Sequence, residues 1–133
     1  DMSEGQILQS LNQTRDAIVA AGGNAPKGVR PPGGKINDAS KAVLAKAGMP
    51  SIVWSVDTLD WKTRNAQKTI DTVLSQVKDG DIVLMHDLYE QSAIAAETLI
   101  PELTKRGYQL VTVSEMAELR GGMAAGHSYG HFR

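Results

Sequence analysis

The sequence predicts an α/β fold of parallel strands covered by helices, and two observations carry that prediction. Helix-like and strand-like segments alternate strictly, in the order α, β, α, β, α, β, α, β, α. The strand-like runs "SIVWSV" (51–56) and "DIVLM" (81–85) are continuously apolar or β-branched, the pattern of strands buried on both faces. A doubly wound sheet and a (β/α) barrel both satisfy this order. No internal repeat and no low-complexity linker divides the chain.

Each element has its own signal. Ser3 and Gln6 make a capping box, and Ile7, Leu8, Leu11, Arg15 and Ile18 follow at helical spacing until Gly22-Gly23 ends the helix. Val29 is a short strand candidate leading into "RPPGG" (30–34), where two prolines rule out regular structure. Asn37 or Asp38 caps a helix that runs to about Ala47, and Gly48 closes it. After "SIVWSV", the apolar residues Ile70, Val73, Leu74 and Val77 fall at i, i+3, i+4 and i+7, which predicts an amphipathic helix over 66–78. Asp79-Gly80 turns the chain into "DIVLM". A helix then runs to Arg106, with Pro101 either kinking it or marking a late start. Gly107 ends it, "YQLVTV" (108–113) reads as a strand, and Ser114 caps a last short helix. Residues 1–120 thus form the folded part, and 121–133, "GGMAAGHSYGHFR", read as a C-terminal tail.

Bulk properties narrow the function. A chain of 133 residues is one domain or part of one. Its net charge of -1 offers no basic field for nucleic acid. The absence of cysteine removes disulfides and thiolate metal sites. No apolar stretch approaches the roughly 20 residues of a membrane span. The chain begins at Asp1 rather than Met, which a processed protein, a trimmed chain and a fragment all fit.

In parallel α/β architectures, reactive groups gather where strands end and loops begin. Arg30 follows the Val29 strand, Asp57 and Asp60 follow "SIVWSV", and His86 and Asp87 follow "DIVLM". Singly, each has an ordinary reading as a turn, a cap or a satisfied polar group. Together, an arginine, an aspartate and a histidine on one edge suggest a site for general acid–base chemistry. A histidine titrates nearest neutral pH, and a carboxylate beside it holds the ring. Gly33 or Gly34 can bring a backbone N–H close to a developing oxyanion. Trp61 belongs either to the core or to the wall of a pocket. What is missing is the nucleophile: the sequence has no G-x-S-x-G elbow and no cysteine, and a water nucleophile would need a metal and ligands to hold it.

Three of these stretches carry a resemblance. "RPPGG" (30–34), "VDTLDW" (56–61) and "IVLMHD" (82–87) resemble the third, fourth and fifth motifs of the polysaccharide deacetylases, the NodB-homology domains of carbohydrate esterase family four. The resemblance covers essentially the whole chain and looks closest to peptidoglycan N-acetylglucosamine deacetylases. It implies the C-terminal portion of a distorted (β/α) barrel. It also implies metal-dependent removal of acetyl groups from N-acetylated polysaccharide, with His86 as general acid, Asp60 as its tether and Arg30 orienting a catalytic aspartate. Gly33 would supply the oxyanion N–H, and Trp61 and Leu84 would line the acetyl pocket. The implied cofactor is a divalent metal, zinc by preference, and the implied location is secreted or cell-surface.

The sequence departs from the family pattern in two ways. Gly33 stands where the family usually has tyrosine, so the backbone donor is kept and an aromatic platform is lost. The first motif, T-F-D-D-G-P, and the second, H-S/T-x-x-x-H, are not in their usual places. The base and most metal ligands are therefore expected on a missing N-terminal segment, as a separate partner chain in a nicked enzyme or otherwise. His127 and His131, four apart in "HSYGH", would be metal ligands only if the tail is a displaced second motif. Two other classes compete with the enzyme. One is a non-catalytic glycan-binding barrel remnant, and the other is a generic receiver-like or sugar-binding α/β domain.

Overall fold

A computed structural model of the chain describes residues 2–133, which divide into two units. The first comprises residues up to Val53 together with Gly122–Tyr129, and the second comprises Trp54–Gly121 with Gly130–Arg133.

In the first unit, helix α1 (Glu4–Ala20) starts at the predicted capping box. Gln6 N–H donates to Ser3 Oγ at 3.3 Å, and the Gln6 side chain accepts from Ser3 N–H at 2.7 Å. None of its residues is buried, and Ile18 and Val19 are exposed. Helix α2 (Asp38–Lys46) is capped by Asn37, whose side chain accepts from Ser40 N–H, and it buries Val43 and Leu44. Strand β1 (Ser51–Ile52) pairs in parallel with β4 (Ser128–Tyr129), in the register Ser51 with Ser128 and Ile52 with Tyr129; Val29 makes a parallel bridge to Ser51. Lys46 Nζ meets Glu4 Oε1 at 2.6 Å.

In the second unit, β2 (Val56–Asp57) pairs in parallel with β3 (Val83–Leu84), Val56 opposite Val83 and Asp57 opposite Leu84. A single turn of helix, α3 (Asp60–Thr63), leads into α4 (Ala66–Gln76), whose cap is Asn65. Helix α5 (Glu90–Lys105) and the short α6 (Val113–Leu119) follow β3. The core is the α4–α5 seam. Ile70 and Val73 pack with Ala95, Leu99 and Leu103, and Val83, Met85 and Tyr108 lie against them. That seam is the helical periodicity read from 66–78, met by the matching stripe of α5.

Four expectations are corrected. "SIVWSV" is not one strand buried on both faces. It splits into β1 and β2, and Ser55 between them is exposed, its hydroxyl donating to Asp81 Oδ1 at 2.8 Å. "YQLVTV" makes no strand among the described residues. Its β-branched residues have no ladder partner, Leu110 is exposed, and the capping box of Thr112 with Glu115 starts α6 there instead of at Ser114. Pro101 lies inside α5, which begins at Glu90 and so has no late start. The last dozen residues are woven in rather than hanging as a tail. They supply β4 to the first unit and buried Phe132 to the second. Phe132 N–H donates to Gly80 O at 2.8 Å. Gly80 has φ 84, and a Cβ there would meet Phe132 O at 2.1 Å, so only glycine fits that contact.

Candidate active site

Where β2 ends, the chain makes a tight descent into α3. Asp57 Oδ1 accepts from Leu59 N–H at 3.0 Å, and Thr58 Oγ1 donates to Leu84 O at 2.7 Å, tying the loop to β3. Leu59 (φ 50) and Arg64 (φ 46) flank α3 in the left-handed region, which costs non-glycine residues on the order of 1 kcal/mol or more. This strained turn delivers Asp60 inward, 2% exposed, and leaves Trp61 48% exposed beside it.

Parallel pairing places the end of β3 next to the end of β2, so His86 arrives at Asp60. The two residues meet twice. His86 N–H donates to Asp60 Oδ2 at 2.7 Å, and His86 Nδ1 lies 2.7 Å from Asp60 Oδ1. The Ser92 hydroxyl, from the first turn of α5, adds a bond to Oδ2 at 2.6 Å. Burial alone would raise the Asp60 carboxyl. The hydrogen bonds from Ser92, from the ring and backbone of His86 and from the Trp61 backbone outweigh it and hold the group at about 2, below the ordinary 3.8. Asp60 is therefore an acceptor only near neutral pH. Nδ1 of His86 must carry the hydrogen of the shared bond, which leaves Nε2 to exchange a proton with a ligand. The ring is 32% exposed while the carboxylate is sealed, so only the histidine is open to solvent.

The other expected residues divide between the units. Leu84, in β3, is buried, two residues before His86. Arg30 and Gly33 belong to the first unit. Arg30 is exposed, and its Nε donates to Ile52 O at 3.4 Å. Among the described residues no carboxylate comes within ion-pair distance of its guanidinium. "PGG" (32–34) forms a 3-10 turn in which Gly33 has φ 62. The turn uses the N–H of Gly34, donated to Pro31 O, and of Lys35, donated to Pro32 O, and not that of Gly33. His127 and His131 are exposed and fall in different units. Among the described residues no group of three or more His, Asp or Glu side chains is placed to hold a metal ion, and no helix is long and apolar enough to cross a membrane.

Sequence reasoning missed Ser92. Its signal was present: Ser92 sits at i on the stripe completed by Ala95, Leu99 and Leu103, and a polar residue on a buried stripe needs a partner.

Comparison with known proteins adds to this geometry. A family model described as polysaccharide deacetylase matches residues 1–52. The peptidoglycan-N-acetylmuramic acid deacetylase PdaC of Bacillus subtilis is 42% identical over 119 residues, which are 90% of this chain and 25% of that protein. The peptidoglycan-N-acetylglucosamine deacetylase PgdA of Listeria monocytogenes is 39% identical over 111 residues, 84% of this chain and 23% of that protein. The chain thus spans about a quarter of the length of these curated relatives. A solved family 4 acetyl xylan esterase from Clostridium thermocellum, in complex with a cobalt ion, matches with a TM-score of 0.88 and 27% identity over 98% of this chain and 65% of that one. The α/β class, as part of a (β/α) barrel, is therefore the fold this chain adopts.

Proposed function

The chain belongs to the polysaccharide deacetylase family, and we propose that it supplies the proton-donating part of a hydrolase that removes acetyl groups from N-acetylated polysaccharide. The observation that carries the reading is the sealed, ionised Asp60 bonded through Nδ1 to a His86 side chain that is itself part exposed. The substrate proposed is peptidoglycan, with N-acetylglucosamine the sugar to test first. The two relatives are named for different sugars, so the choice between glucosamine and muramic acid belongs to experiment. A surface or secreted location goes with that substrate.

In this reading Asp60 fixes the ring through Nδ1, and the protonated His86 donates its Nε2 hydrogen to the departing amine as the carbonyl–nitrogen bond breaks. The histidine is left neutral and the amine leaves uncharged. Gly33 N–H steadies the oxyanion, Trp61 and Leu84 bound the acetyl group, and Arg30 orients a base carried outside these residues. Among the described residues no group of three or more His, Asp or Glu is placed to hold a metal. A divalent metal, zinc by preference, would take its ligands from a segment bearing the first two motifs, as a separate N-terminal chain or in continuity with this one. What it supplies when bound is an activated water.

Acetate release from N-acetylated glycan tests the proposal. Residues 1–133 with a segment carrying the first two motifs should release acetate when given a divalent metal, and residues 1–133 alone should not. Glycan binding without acetate release by the complete protein would favour the non-catalytic reading.

A further inference from the structure

We propose that Ser92 is a positioning residue for the Asp60–His86 pair, its hydroxyl locking the carboxylate in the one orientation that presents His86 Nε2 outward. Its kinetic consequence rests on the general-acid reading of His86, whereas its structural consequence does not.

Asp60 has two oxygens with different duties. Oδ1 holds the ring, while Oδ2 accepts both the His86 backbone N–H at 2.7 Å and the Ser92 hydroxyl at 2.6 Å. Rotating the carboxylate about its own axis would break all three bonds, and among the described residues Ser92 contributes the only side-chain bond that does not come from His86 itself, the Trp61 backbone adding one from within the same turn. The elements on either side are short or strained. Asp60 sits in a single helical turn between two left-handed residues, and His86 stands in the loop after a two-residue strand. Ser92 is different: it belongs to the 16-residue α5, whose next buried residues, Ala95, Leu99 and Leu103, pack on Ile70 and Val73 of α4. The hydroxyl therefore transmits the rigidity of the α4–α5 seam to a carboxylate that its own turn would hold loosely.

The residue type fits that duty. Ser92 is 4% exposed, and burying a hydroxyl without a partner is unfavourable, so an alanine would be the simpler occupant of an apolar stripe. Among titratable groups on the adjoining elements, only His86 bonds Asp60. Arg64 donates to Tyr89 Oη, Asp71 accepts from Gln67, and Lys62, Asp87 and Glu90 are exposed. Tyr108, whose half-buried hydroxyl donates to the Val77 carbonyl at 3.1 Å beside the α4–α5 seam, bonds neither Asp60 nor His86, so it serves as the control.

The test compares Ser92→Ala, Ser92→Cys, Ser92→Thr and Tyr108→Phe in the complete protein. The readouts are the Asp60 titration midpoint from its carboxyl ¹³C shift, thermal stability, and kcat and KM on an N-acetyl amide and an activated acetyl ester. Ser92→Ala should raise the Asp60 midpoint by about one pH unit, the scale of one lost charge-assisted bond. It should lower kcat on the amide about ten-fold with KM within two-fold, and spare the ester. Ser92→Thr should restore both, Ser92→Cys should fall between, and Tyr108→Phe should cost stability while moving neither. Should Ser92→Ala not fold, Ser92→Cys keeps the volume and still reports. If the Ser92 variants lose stability as Tyr108→Phe does, with the midpoint and the amide-to-ester ratio unchanged, the hydroxyl is structural only and the proposal is overturned. A protein that hydrolyses no amide would defeat the deacetylase reading, while the midpoint would still decide the role of Ser92.

Discussion

The second unit closes its polar site on itself, and the first leaves its own open. Asp60 is buried, fully bonded and held ionised by neighbours within the unit. Arg30, equally charged and next to the Val29–Ser51 bridge, has among the described residues a single 3.4 Å bond to a main-chain oxygen. A buried charge must be satisfied locally or it unfolds its surroundings, whereas an exposed arginine can wait for a partner at little cost. The contrast sorts the residues by dependence: the histidine pair is complete within this chain, whereas in the proposed reading Arg30 is the group that a carboxylate from another segment would engage.

Substitutions can break or sharpen this division. His86→Ala in the complete protein should have the largest effect, on the order of 100-fold or more in turnover of an N-acetyl amide, the scale of one lost acid–base group. Arg30→Ala should lower kcat/KM on the order of ten-fold while leaving the melting temperature of residues 1–133 unchanged, because its one long bond holds little. A drop in that temperature as large as the one caused by Asp60→Asn would erase the contrast.

Asp60→Asn reads the closed site through pH. The folded carboxyl lies at about 2 against an ordinary 3.8, so its ionisation contributes about 2 kcal/mol of stability above pH 5, lost as pH falls through 2. The variant should be less stable by about that amount at neutral pH, and its stability should vary less between pH 4 and pH 2. Denaturant melts across that range measure both effects. The smallest effect belongs to the C-terminal histidines. Replacing His127 and His131 by alanine should leave metal content and rate unchanged in the complete protein, and loss of metal would revive the displaced-motif reading.

The sequence disclosed the closed site better than the elements around it. Asp60 and His86 were legible because an apolar run that stops at a charged residue marks a strand end, and parallel pairing then brings such ends together. Helices α4 and α5 were legible because one period serves both the pattern and the packing. The strands were overread, since β-branching records a preference but not a partner: "YQLVTV" has the composition without the ladder. The C-terminal residues were underread, because glycine-rich composition concealed a two-residue pairing with β1 and an aromatic anchored on Gly80. Ser92 lay four residues from any motif, visible only as a polar interruption of a buried stripe.

In the proposed reading His86 donates a proton through the nitrogen that Asp60 leaves free. The most direct test of that reading is the leaving-group dependence of His86→Ala, measured in the complete protein on N-acetyl amides and on activated aryl acetates, whose leaving groups need no proton. The account predicts that the variant loses at least ten-fold more rate on the amides than on the aryl acetates. Equal losses on both, or normal amide hydrolysis without His86, would show the histidine to be only a polar group at the end of a strand.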